Sequence, residues 1–107
     1  EGKIQGGAIR VPVSNGSMSE ITFNVAEAIS IDAIHEAMTK SSKGELKGVL
    51  GIISDPIVSI DIVGSSLSSA YDSELSKSYG KVIKIVAWYD NESGYSHRLL
   101  ELVKRVH

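Results

Sequence analysis

At 107 residues, 42% of them hydrophobic and with a mean hydropathy of +0.04, the chain has room for one soluble globular domain and no second. Its 11 basic and 13 acidic residues give a net charge of −2, without the basic surface that nucleic acid requires, and no window approaches the ~20 apolar residues of a membrane span. The absence of cysteine excludes a disulfide framework, a thiolate-ligated zinc and a thiol nucleophile among these residues, and it suits a cytoplasmic protein.

No signal peptide is visible, and the first residue is Glu1 rather than Met, which opens the reading of the chain as a piece of something longer. Gly6-Gly7 leads into AIRVPV (8–13), which reads as a strand carrying one arginine among apolar neighbours. SNGS (14–17) reads as a turn, because Asn-Gly tolerates positive φ. The next run, 19–26, alternates Ile21, Phe23 and Val25 with Glu20, Thr22 and Asn24, the period of a half-buried strand. The two runs together suggest a strand–turn–strand pair.

The period then lengthens. Ile31, Ile34, Ala37, Met38 and Ser41 follow helical spacing, with Ser30 as N-cap and Asp32 at the positive end of the helix dipole. Gly44 and Gly48 bracket a loop before the short apolar run 49–53, which Asp55-Pro56 ends. IVSIDIV (57–63) alternates again and reads as a strand. A short strand is expected around Ala70-Tyr71, followed by a polar connection through 77–80. KVIKIVAWYD (81–90), β-branched through Ile85-Val86, is the most strand-like segment of all. Tyr95, Leu99, Leu102, Val103 and Val106 mark a closing amphipathic helix whose start Asp90 or Asn91 caps. Strands around one crossover helix predict an α+β domain with a mostly antiparallel or mixed sheet and a C-terminal helix.

Few residues carry chemistry on spacing alone. There is no P-loop, because Gly80-Lys81 is followed by Val82, and no G-x-G-x-x-G follows a strand. His35, on the polar side of the first helix, His97 and His107 do not converge by spacing. Asp61 and Asp72 read as strand-end acids that face water or cap turns, rather than as a carboxylate pair. Arg10 is more informative, since a guanidinium within an apolar strand costs desolvation unless an anion meets it. A structural salt bridge and an anion clamp are both open. Asn91 likewise offers an acceptor and donors at a helix mouth where backbone N–H groups point outward, an arrangement suited to an amide or an anion.

"AIRVPVSNGS", "GVLGIISDPIVSIDIVG", "SSAYDS" and above all "AWYDNESGYSHRLLELV" resemble the C-terminal part of phosphorylating glyceraldehyde-3-phosphate dehydrogenases, in order and over essentially the whole chain. The resemblance implies the C-terminal portion of a catalytic domain over 1–90. It also implies a terminal helix over 91–107 that returns to an NAD-binding domain. It implies oxidation of an aldehyde through a thiolate hemithioacetal, hydride transfer to NAD and phosphorolysis of the thioester. The family's catalytic cysteine and histidine lie upstream, so no catalytic residue and no metal ligand is assigned to this chain, which alone should be inactive.

Carried over by motif, Arg10 in "IRVP" matches the arginine that binds substrate and inorganic phosphate. Asn91 in "DNE" matches the residue that holds the nicotinamide carboxamide, and Tyr95 in "GYS" an aromatic beside the nicotinamide ring. Ser93, His97 and Ile52 depart from the commoner Phe, Asn and Tyr. The implied partners are glyceraldehyde 3-phosphate, phosphate and further copies in a homotetramer, with no nucleic acid and no membrane. The alternatives are an erythrose-4-phosphate dehydrogenase segment and a non-catalytic assembly module. The apolar stripe of the last helix should, in the isolated chain, fold onto its own sheet or drive self-association.

Overall fold

The computed structural model describes residues 2–106; Glu1 and His107, and with them the readings that touch them, lie outside the described residues. Eight elements follow in the order β1 (Ser17–Asn24), α1 (Ile31–Lys43), β2 (Leu50–Ile53), α2 (Ser59–Ile62), β3 (Ser69–Asp72), β4 (Lys77–Tyr79), β5 (Val82–Tyr89) and α3 (Ser93–Val106). The α+β class and the mixed sheet are as the sequence predicts.

β5 is the axis of the sheet. Along its whole length it pairs antiparallel with β1, from Ser17 opposite Tyr89 to Asn24 opposite Val82. Its other edge is shared by β4, at the Val82 end, and β3, at the Trp88 end. β2 then joins β3 in parallel, giving the order β1-β5-β3-β2. α1 is the crossover, carrying the chain from β1 at one edge to β2 at the other. Ser30 Oγ accepts from the Ala33 N–H at 3.2 Å at its start, and the Gly44 N–H closes its end on the Lys40 and Ser41 carbonyls.

Period two sorts the sheet into its two faces. On one, Tyr71 and Ile83 pack under Ile34 of α1, with Ile31, Met38, Leu50 and Ile85 around them. On the other lie Val86, Trp88 and Asp72. Trp88 Nε1 donates to Asp72 Oδ2 at 2.9 Å, and the Val86 N–H donates to the hydroxyl of Ser76, which is buried beside it. Ile21 and Phe23, on the same face as Ile83, stay exposed.

Four expectations are corrected. Residues 8–13 form no strand; they are exposed and bend at Pro12, where the Val13 N–H donates to the Val11 carbonyl, and Pro12 removes one of the donors a ladder would use. The strand–turn–strand pair therefore does not form, and β1 finds β5 instead. IVSIDIV contains the helical turn α2, held where Asp61 Oδ2 accepts from the Val58 N–H at 2.8 Å. The connection through 77–80 contains β4, returned to β5 over Gly80 at φ 64°. His35 is not on the polar side of its helix: it is half-buried, with its ring edge-on to Tyr71 at 5.8 Å between centroids.

α3 is tied through its first turns to the segments that lead into β2 and β3. Gly94 is buried and Arg98 half-buried, Arg98 Nη1 donating to the Gly48 carbonyl and to Ser68 Oγ. Leu99, Leu102, Val103 and Val106 are all about half or more exposed. The stripe does not fold back onto the sheet.

Two measurements check this account. A Cβ at Gly94 would run into the Leu67 carbonyl, so Gly94→Ala should lower stability by about 1–3 kcal/mol, although Gly→Ala within a helix ordinarily helps. Gly6→Ala, where nothing lies nearby, should leave the urea midpoint unchanged. The bare stripe of α3 predicts that the isolated chain self-associates with rising concentration in sedimentation velocity, and that Leu99→Glu with Leu102→Glu abolishes this.

Candidate functional site

β5 ends at Tyr89, and the next residue, Asp90, gathers three segments. Its Oδ1 accepts the N–H groups of Glu92 and Ser93, each at 2.8 Å, at the mouth of α3. Its Oδ2 accepts from the Gly64 N–H at 2.8 Å and from Asn15 Nδ2 at 3.0 Å. Asp90 is 5% exposed. The Ser93 N–H first, then those of Glu92 and Gly64, hold its carboxyl well below the usual carboxylate range, against the opposing effect of burial.

Asn91 stands one residue further and faces outward. Its Oδ1 accepts from the Gly16 N–H at 3.2 Å and from Ser17 Oγ at 3.0 Å, while its Nδ2 approaches the same hydroxyl at 2.8 Å. The chain can come this close because Gly16 holds a positive φ of 91°, and any Cβ there would meet the Ser59 carbonyl. A primary amide carries two N–H donors. One of Asn91's therefore has no partner among the described residues.

These contacts open a cleft of about 240 Å³ between residues 9–17 and the start of α3, with Arg10, Asn15 and Ser17 on one wall and Asn91 and Glu92 on the other. Arg10 and Asn91 are thus brought together from opposite ends of the chain. Among the described residues no acid pairs with Arg10, so the salt-bridge alternative is not realised. The cleft is smaller than the roughly 300–1,000 Å³ of a complete small-molecule pocket, so it matches an anion or an amide-sized group better than a dinucleotide. Tyr95 does not line it. It lies on the first turn of α3, 71% exposed, with its ring turned to solvent.

The other candidates are occupied elsewhere. Asp61 caps the start of α2 from within it, and Asp72 is buried, accepting from Trp88 Nε1 and the Leu75 N–H. Asp72 is a turn cap, as expected, but does not face water. His97 Nδ1 donates to the Ser93 carbonyl within its own helix, far in sequence from His35. Among the described residues no group of three or more His, Asp or Glu side chains could hold a metal ion, and no helix is long and apolar enough to cross a membrane. Sequence reasoning missed the tie from Asn15 to Asp90, having taken SNGS only as a turn. The hint was an Asn next to the Gly whose positive φ aims it inward.

Comparison with known proteins bears on this geometry. A family model described as "Glyceraldehyde 3-phosphate dehydrogenase, C-terminal domain" matches residues 1–91, a span that includes Arg10 and Asn91 and stops before Tyr95. A glyceraldehyde-3-phosphate dehydrogenase of Mycolicibacterium smegmatis is 45% identical over 106 residues, 99% of this chain and 31% of its own length. Those of Kitasatospora aureofaciens and Mycobacterium leprae are 44% and 43% identical, covering 97% and 96% of this chain and 31% and 30% of theirs. The chain spans just under a third of the curated relatives it matches.

The Asp90 geometry makes a pH prediction. A carboxyl held below its ordinary value of 3.8 contributes stability that is fully present above that pH and fades as pH falls below it. Asp90→Asn should therefore be less stable than the parent at pH 7, with the gap in urea midpoint narrowing below pH 3.8. A gap that is constant with pH would contradict the charge argument.

Proposed function

The chain belongs to the glyceraldehyde 3-phosphate dehydrogenase C-terminal domain family, and from that premise we propose that it is the C-terminal segment of an NAD-dependent phosphorylating glyceraldehyde-3-phosphate dehydrogenase. The intact enzyme oxidises glyceraldehyde 3-phosphate with phosphate to 1,3-bisphosphoglycerate, as a cytoplasmic homotetramer. Residues 1–90 are the end of its catalytic domain, and the segment after them carries α3, the helix that docks on the NAD-binding domain. The relatives carry the glyceraldehyde name, which favours the three-carbon substrate over erythrose 4-phosphate.

The observation that carries this reading is the shared cleft of Arg10 and Asn91. Arg10 binds phosphate, its planar fork matching two oxygens of the anion where a lysine would offer a point charge. Asn91 supplies the N–H left over after Ser17 is satisfied, a donor of the kind a carboxamide oxygen accepts. It thereby fixes which face of the nicotinamide is presented. NAD supplies the hydride acceptor when bound. Tyr95, exposed on the first turn of α3, supports the ring edge once the partner domain closes on the helix, which also covers the bare apolar stripe. With no cysteine in the chain, the nucleophile comes from the remainder of the enzyme.

Two assays test the proposal. The purified chain should form no NADH from glyceraldehyde 3-phosphate, phosphate and NAD; turnover that depends on both substrates would sink the segment reading. In the intact enzyme, Arg10→Lys should lower kcat/KM for phosphate about 10- to 100-fold, the value of a charge-assisted hydrogen bond. Unchanged phosphate kinetics would remove Arg10 from the site.

A further inference from the structure

Asp90 does not line the cleft, yet its two oxygens are committed to the segments that do. Oδ2 holds Asn15, on the wall that bears Arg10. Oδ1 holds the N–H groups of Glu92 and Ser93, immediately after Asn91. A third tie, to the Gly64 N–H, anchors both to the loop that follows α2. We propose that Asp90 is a positioning residue of this enzyme, a buried carboxylate that fixes the separation of the Arg10 wall from Asn91 and so sets phosphate and nicotinamide in register. The proposal rests on the reading of Arg10 and Asn91 given above.

Hydrogen-bond capacity singles out a carboxylate at this position. An ionised carboxylate offers about four lone-pair positions, and here four N–H donors fill them. No other side chain of this size can do that. An asparagine in its place keeps the shape but turns an NH₂ toward two of the four donors, leaving a buried conflict and loosening one wall or the other. Asn91 itself cannot take over the bridging. Its Oδ1 already reaches Gly16 and Ser17, and its remaining N–H is the one a ligand needs. The two bridges therefore divide the labour, Asp90 holding the walls apart at a set distance and Asn91 touching the ligand.

A carboxylate that only stabilised the fold would behave differently. Asp72 provides the comparison: it too is a buried acid accepting from a side chain and from a backbone N–H, but it does so away from the cleft. A displacement of one wall by an ångström or so costs a reaction on the order of 100-fold, so positioning is read in kinetics as well as in unfolding.

The test uses the intact enzyme, with thermal midpoints and steady-state constants measured on Asp90→Asn, Asp72→Asn, Arg10→Lys and Asn91→Ala. Asp90→Asn should raise KM for phosphate and KM for NAD together, each about tenfold, in its folded fraction at 25 °C. Asp72→Asn should lower the thermal midpoint and leave both constants within twofold. Asp90→Asn with a lowered midpoint and unmoved constants overturns the proposal while leaving the function intact. If Arg10→Lys and Asn91→Ala also leave phosphate and NAD kinetics unchanged, the underlying reading falls and the proposal with it. Should Asp90→Asn not fold, Asn15→Ala removes a single bond of the four and carries the test. A raised phosphate KM supports the positioning role, and an unchanged one overturns it.

Discussion

Four N–H groups converge on one carboxylate at the end of the central strand, and the arrangement of the rest follows from satisfying them. Burial of an acid is costly unless its lone pairs are filled, so Asp90 can lie at 5% exposure only while Asn15, Gly64 and the mouth of α3 all remain in place. Each of those partners belongs to a different stretch of chain. The turn before β1, the loop after α2 and the start of α3 are thereby held to a single point. What they enclose is the cleft.

β5 makes this convergence possible. It is the strand with the most partners, flanked by β1 on one side and by β4 and β3 on the other, so its end is held from both edges. Its side chains divide between a face that packs against α1 through Ile83 and Ile85 and a face that buries Val86 and half-buries Trp88. A helix placed directly after such a strand inherits a defined origin but no support beyond its first turns. The exposed stripe of α3, and the unpaired run that carries Arg10, have the character of surfaces completed by another body. The cleft, at about 240 Å³, is likewise smaller than a complete small-molecule pocket.

Much of this was legible in the residues. β1, α1 with its Ser30 cap, β5 and α3 each announce themselves by period, because one face of each is buried or meant to be. The errors have separate physical causes. AIRVPV has the composition of a strand, but a strand is a pairing as much as a composition, and no ladder partner for it lies among the described residues. IVSIDIV alternates as a strand would, yet Asp61 bonds back to the Val58 N–H and wins the local competition for a turn. β4 is three residues long, below the length at which alternation carries a signal. His35 sits at the margin of its helix's apolar stripe, where period alone does not decide the side, and the Tyr71 ring makes the difference. The motif around 88–95 directs attention to Asn91, but Asp90's part in the cleft depends on Asn15 and Gly64, contacts that only the folded chain brings together.

The central claim is that Arg10 and Asn91 are the phosphate and nicotinamide halves of one site. The most direct measurement is a crystal structure of the intact enzyme grown with NAD and phosphate. The account predicts a phosphate seated on the Arg10 guanidinium and the nicotinamide carboxamide oxygen within hydrogen-bond distance of Asn91 Nδ2, with the cofactor ring opening into the cleft. Density for the nicotinamide on other residues, with Asn91 still turned to Ser17 alone and Arg10 free of any anion, would contradict it.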